Sequence, residues 1–118
     1  MNSTEQTRAF IHDYFNSMSA GQLQDIPIAE NCSYSGSMLA ETIRGAEAVR
    51  GHIGQIMPFV ERIEMKREIV EGANAAVTVQ LLGFGNKRVH GVVLFMVEDG
   101  ELTALENLFD SRQLLGTL

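Results

Sequence analysis

The chain predicts an α+β fold in which helices pack on one face of a curved antiparallel sheet, and three features carry that prediction. Apolar residues recur every three or four positions in the first half, which is helix spacing; beyond Pro58 they alternate with polar ones, which is strand spacing. Helices and strands are therefore segregated along the chain, the pattern of α+β architecture. Only short Gly- and Asn-containing stretches interrupt the strand-like half. One of them, Asp99-Gly100, is a strong hairpin signal, so the strands follow one another as a meander.

Ser3 and Gln6 stand at capping-box spacing ahead of Phe10, Ile11, Tyr14, Phe15 and Met18, whose single apolar stripe predicts an amphipathic first helix. Gly21 suits the left-handed residue that closes it. A short helical piece over Gln22 to Ile26 is stopped by Pro27, which has no N–H to offer the next turn. Asn31 to Met38 reads as a short strand with Tyr34, Gly36 and Met38 on one side. After Gly45, the spacing of Ala46, Val49, Ile53, Ile56 and Met57 marks a second long helix ending before Pro58, weakened by Gly51 and Gly54. Phe59 to Val70 alternates, with Arg62, Glu64, Lys66 and Glu68 on a wet face and Ile63, Met65 and Ile69 on a dry one. Arg67 breaks the pattern by sharing the dry parity; such an arginine commonly lies near a strand end and snorkels outward. Ala75 to Leu82, Val89 to Val97 and Leu102 to Asp110 complete the meander.

The run Val89 to Val97 reads V-H-G-V-V-L-F-M-V and is apolar on both faces apart from His90. A strand sends alternate side chains to opposite sides of its sheet, so this run needs two dry covers. The chain supplies one itself. The other belongs to a ligand cavity or a partner subunit.

A length of 118 residues sets the expectation of a single domain over 1–118. With 15 acidic residues against 9 basic ones the net charge is −6, which argues against a nucleic-acid groove; the pairs Lys66-Arg67 and Lys87-Arg88 read as ordinary surface charge. Cys32 is the one cysteine, so no internal disulfide forms, and no Cys/His spacing suits a metal. It reads as a small buried residue, since no local motif activates it. The N-terminus is polar and no apolar stretch approaches the ~20 residues of a membrane span. The expectation is a cytoplasmic protein without a membrane partner.

The element order, taken with Tyr14-Phe15 through Gly21, the stretch from Ile43 to Arg50, the turn from Glu98 to Leu102 and the ending Asn107-Leu108-Phe109-Asp110, resembles the nuclear transport factor 2-like superfamily. Within it, the chain is most similar to the SnoaL-like and ketosteroid-isomerase-like bacterial members. The resemblance covers nearly the whole chain and rests on the joint order of motifs that are individually common. It implies a cone-shaped, cystatin-like arrangement with a curved sheet wrapped on the N-terminal helices, an apolar pocket in the open end, and a homodimer formed through the outer sheet face. It also implies that any chemistry proceeds without a bound cofactor.

Ketosteroid isomerases combine an oxyanion hole, made from a tyrosine and a protonated carboxylic acid, with a separate aspartate base. The resemblance puts Tyr14 at the tyrosine position and His90 at that of the carboxylic acid. The base position falls on Gly36, which has no side chain, so isomerisation by that mechanism is not expected. What the resemblance leaves is a donor pair, Tyr14 and His90, facing a pocket lined by Phe10, Met18, Tyr34, Met38, Val92, Leu94, Asn107 and Phe109. On this alignment His90, Val92, Leu94 and Met96 face the cavity, and Val89, Val93, Phe95 and Val97 face the partner. Plainer readings stand beside these. A histidine in an apolar strand is often a satisfied structural residue, and a tyrosine in a helix stripe is ordinarily core. Asp110 reads as a capping or salt-bridge residue; His12 and Asp13 read as surface, and His52 has no visible partner. Two functions are open to such a chain: a protein that binds a small apolar metabolite and acts as an isomerase, hydrolase or polyketide-type cyclase, or a non-catalytic ligand-binding or protein-interaction module on the same fold.

Overall fold

The computed structural model describes residues 4–37 and 39–110. Ser3, which the capping-box reading uses, and Met38, expected in the pocket, lie outside the described residues. Helix α1 (Thr4–Ser19) is followed by a 3-10 turn (Leu23–Asp25), strand β1 (Ile28–Gly36), the two-residue β2 (Ile43–Arg44) and helix α2 (Ala46–Ile56). A second 3-10 turn (Met57–Phe59) leads into β3 (Val60–Glu71), β4 (Asn74–Gly83), β5 (Lys87–Glu98) and β6 (Glu101–Phe109).

The six strands form one sheet in the order β2-β1-β6-β5-β4-β3. The antiparallel meander β3 to β6 matches the sequence reading, whereas the parallel pairing of β1 with β6, which brings Gly36 opposite Asn107, does not follow from local pattern. Both helices cover the concave face, and a single buried cluster joins them to the sheet. Strand β1 starts at Ile28, earlier than the expected Asn31, because Ile28, Ala29 and Cys32 are all buried there. The closure of α1 onto the sheet is polar as well as apolar: Thr7 Oγ1 donates to the Gly72 carbonyl at 2.6 Å, and the Gly72 N–H donates to Thr4 Oγ1 at 3.0 Å.

The faces of β5 are the reverse of those expected. Val89, Val93, Phe95 and Val97 are buried on the concave side, while His90 and Met96 are exposed and Val92 and Leu94 half-exposed on the convex side. The concave set is the one that meets α1: the Phe95 ring lies edge-on to Tyr14 at 5.2 Å and to Phe15 at 5.9 Å. The convex set also contains Arg88 and Glu98, both exposed, and charges at both ends of a parity mark its side as the wet one.

Strand β3 is corrected by a bulge. Its register with β4 shifts between Met65 and Arg67, so the alternation reverses at Lys66. Arg67 is thereby exposed, Ile69 is 65 % exposed instead of dry, and Glu68 turns to the helix side. There Glu68 receives Arg8 at 2.9 Å and His12 at 3.0 Å, which gives His12 a surface hydrogen-bonding role. Partial burial raises the Glu68 carboxyl, but the hydrogen bonds and charges of Arg8 and His12 outweigh it and hold the group below its ordinary value.

With this parity, neighbouring residues on β5 should differ sharply in stability cost. Phe95→Ala is expected to lose about 3–5 kcal/mol and Met96→Ala less than about 1 kcal/mol, read as shifts in urea unfolding midpoints at constant slope.

Candidate functional site

Between the concave face and the two helices lies a cavity of about 270 Å³. Helix α1 contributes Tyr14, Phe15 and Met18, since residues three and four apart share a helix face; α2 contributes His52, Ile53 and Ile56 by the same rule. The sheet floor is Val89, Val93, Ile63 and Leu81, and the turn after β4 adds Phe84. Phe84 has a φ of 51°, in the left-handed region that a bulky residue rarely adopts. It is held there by its N–H bond to the Phe59 carbonyl at 2.8 Å and by stacking on the exposed Phe59 ring at 6.0 Å.

One end of the cavity is polar. Asn107 of β6 donates through Nδ2 to the hydroxyl oxygen of Tyr34 on β1, a contact made possible by the parallel pairing of those strands. The His52 ring lies against Tyr34 at 5.0 Å, inclined by 65°. Because Asn107 occupies an acceptor site on the Tyr34 oxygen, the phenolic hydrogen is left to point elsewhere, and a donor so polarised is strengthened. Burial pushes the Tyr34 phenol up to about 12, against a smaller opposing effect of the Asn107 bond. Burial, followed by the nearby Tyr34 and Cys32, raises Tyr14 well above its ordinary value. Burial also lowers His52, so its imidazole is neutral at neutral pH. The Cys32 thiol is pushed up to about 11 by burial and is not a nucleophile at neutral pH.

Tyr14, Met18, Tyr34, Asn107 and Phe109 therefore line the cavity. His90, Val92 and Leu94 do not; they lie on the opposite face of the sheet, and His90 stands across from Gln80 on β4. Tyr14 and His90 are thus not a donor pair. Phe10 is buried in the core, stacked on Tyr14 at 6.5 Å, and borders a smaller hollow that Tyr14 also lines. His52, Ile53, Ile56, Phe84, Val89 and Val93 were missed as lining residues. A signal for His52 was present: it precedes Ile53 and lies four before Ile56, on the edge of the apolar stripe of α2.

Gly36 also lines the cavity, and its lack of a side chain is a packing requirement. A Cβ there would lie 2.9 Å from the Asn107 carbonyl oxygen and 3.3 Å from Asn107 Cβ, so a carboxylate at this position would displace β6. Gly91 serves the same end on β5, because the Phe109 ring occupies the place of its Cβ at 2.2 Å. Among the described residues, no group of three His, Cys, Asp or Glu side chains is arranged to hold a metal ion. No described helix is long and apolar enough to cross a membrane.

No family model matches the chain, and no curated protein matches it in sequence. Solved structures do match in three dimensions. A candidate ketosteroid isomerase from Kribbella flavida is 28 % identical, with a TM-score of 0.82 over 93 % of this chain and 82 % of its own. An LEH-like epoxide hydrolase from M. tuberculosis is 16 % identical, with a TM-score of 0.82 over 98 % of this chain and 86 % of its own. A candidate SnoaL-like polyketide cyclase from Jannaschia is 17 % identical, with a TM-score of 0.80 over 95 % and 90 %. The chain has the α+β fold of nuclear transport factor 2-like proteins, and its structural neighbours include proteins of the SnoaL-like and ketosteroid-isomerase-like kinds.

The two buried phenols are the chain's only tyrosines, so ultraviolet absorbance reads them without interference. Neither should ionise near the ordinary value of about 10. The folded-state value of Tyr34, about 12, exceeds the unfolded one. Its contribution to stability is therefore intact below about pH 10 and lost as pH rises through about 12, and alkaline unfolding should coincide with tyrosinate absorbance.

Proposed function

We propose that this chain is a single-domain binding protein for a small, neutral, mostly apolar metabolite, held in the concave cavity with one ligand oxygen against Tyr34. The observation that carries the reading is the lining itself. Apolar side chains form its walls, and among the described residues its polar groups are neutral phenols, an amide and an imidazole, with no Lys, Arg, Asp or Glu. A site of this composition gains affinity from apolar burial and orientation from a few hydrogen bonds, at the small end of ligand cavities, which run from about 300 to 1,000 Å³. A second reading, cofactor-independent isomerase, hydrolase or cyclase chemistry, is favoured by His52 beside Tyr34, the one described lining group that exchanges protons near neutral pH. The names of the structural neighbours supply that range of reactions, and the absence of a side chain at Gly36 favours plain binding over it.

The test uses 2-acetylnaphthalene, a neutral ketone with an apolar two-ring body. Calorimetry should give one site per chain, and Ile56→Trp, which fills the cavity from α2, should weaken binding by at least about tenfold with an unchanged circular-dichroism spectrum. No saturable binding, or equal binding by the variant, would refute the proposal.

The partner we propose is a second copy of the chain, in the cytoplasm, docked on the convex sheet face. Val92 and Leu94 lie there beside Met96 and Leu108, which are 38 % and 41 % exposed. Apolar side chains adjoining across β5 and β6 leave a patch that self-association would cover. Sedimentation equilibrium at micromolar concentration should return twice the chain mass, and Leu94→Arg should halve it; a monomeric parent protein would count against the dimer.

A further inference from the structure

His52 is the one cavity-lining side chain, among the described residues, whose charge changes between pH 5 and 8. No carboxylate in the described lining offsets that charge. From β1 it meets the Tyr34 ring, and from β6 the amide of Asn107 stands behind Tyr34. The charged residues of the other elements packed on α2, namely Asp25 of the first 3-10 turn, Glu30 of β1 and Arg44 of β2, are solvent-exposed, as is Glu47 of α2 itself. Arg50 of α2 is engaged with the carbonyls of Leu23 and Ile26. An imidazolium at His52 would therefore border an apolar cavity with no counter-charge in it.

A ligand that fills the cavity removes water from His52, and linkage then couples its binding to the protonation of the ring. A neutral ligand makes the imidazolium harder to hold, so its binding expels the proton. An apolar carboxylate supplies the missing counter-charge, so its binding takes a proton up.

We propose that His52 sets the charge class of the ligand: the cavity takes neutral apolar molecules while the imidazole is neutral, and apolar carboxylates only with the imidazole protonated. This rests on the cavity being the ligand site. It makes one cavity a two-mode site whose preferred cargo changes with pH.

The test compares 2-acetylnaphthalene with 2-naphthoate, which share a ring body and differ in charge, by calorimetry from pH 5 to 8. Below the free-state titration of His52, ketone affinity should fall by up to about tenfold per pH unit; naphthoate affinity should rise as pH falls towards that titration from above, and level off beneath it. In His52→Gln both profiles should be flat, with naphthoate excluded throughout. Imidazole titration by NMR in the unaltered protein gives a second reading: the His52 ring should titrate at lower pH with the ketone bound and at higher pH with naphthoate bound. Parallel profiles for the two ligands, slopes that survive His52→Gln, or a His52 ring that titrates at one pH in free and bound protein would overturn the proposal. If the ketone fails to bind at every pH, the ligand-site reading itself falls; if it binds with no pH dependence, only the role of His52 falls.

Discussion

Phe95 lies edge-on beneath Tyr14 and Phe15, and much of the molecule depends on that contact. A strand alternates strictly, so seating Phe95 against α1 commits Val89, Gly91, Val93 and Val97 to the concave side and His90, Val92, Leu94 and Met96 to the convex one. Hydrogen-bonded register then carries the choice to both neighbours. Val77 opposite Val93 on β4 turns inward, and so do Leu105 opposite Phe95 and Asn107 opposite Val93 on β6. Where β3 must depart from this rule to meet the outer turn of α1, a bulge reverses its alternation and delivers Glu68 to Arg8 and His12.

The polar end of the cavity comes from three separate pieces of chain. Tyr34 arrives on β1, Asn107 on β6 and His52 on α2, and the parallel β1–β6 pairing is what brings the first two within hydrogen-bonding reach. Two glycines give these groups room: Gly36 admits the Asn107 backbone, and Gly91 admits the Phe109 ring. The site is thus constrained by close packing as much as by chemistry. A carboxylate where isomerases carry their base would need space already held by β6.

The chain carries a net charge of −6, yet the described lining of its cavity has no charged side chain apart from whatever His52 acquires. Separation of a charged exterior from a neutral interior follows from the cost of burying an unpaired ion. That cost raises the phenols of Tyr14 and Tyr34 and lowers His52.

The amino-acid sequence by itself determined the class of fold, the two amphipathic helices and the antiparallel meander, because periodicities of 3.6 and 2.0 are local properties. It also marked Gly36 as a position without a side chain, and Asn107 and Phe109 as sharing one side of the last strand. Which face of β5 is the inner one is marked in the sequence only by Arg88 and Glu98 at the ends of one parity; both parities are apolar in their middles, and helix packing decides between them. The bulge at Lys66, the parallel β1–β6 pairing and the meeting of His52 with Tyr34 were beyond local reading. Each depends on residues distant in the chain, Tyr34 and Asn107 being 73 apart, and no periodic signal extends across such a separation.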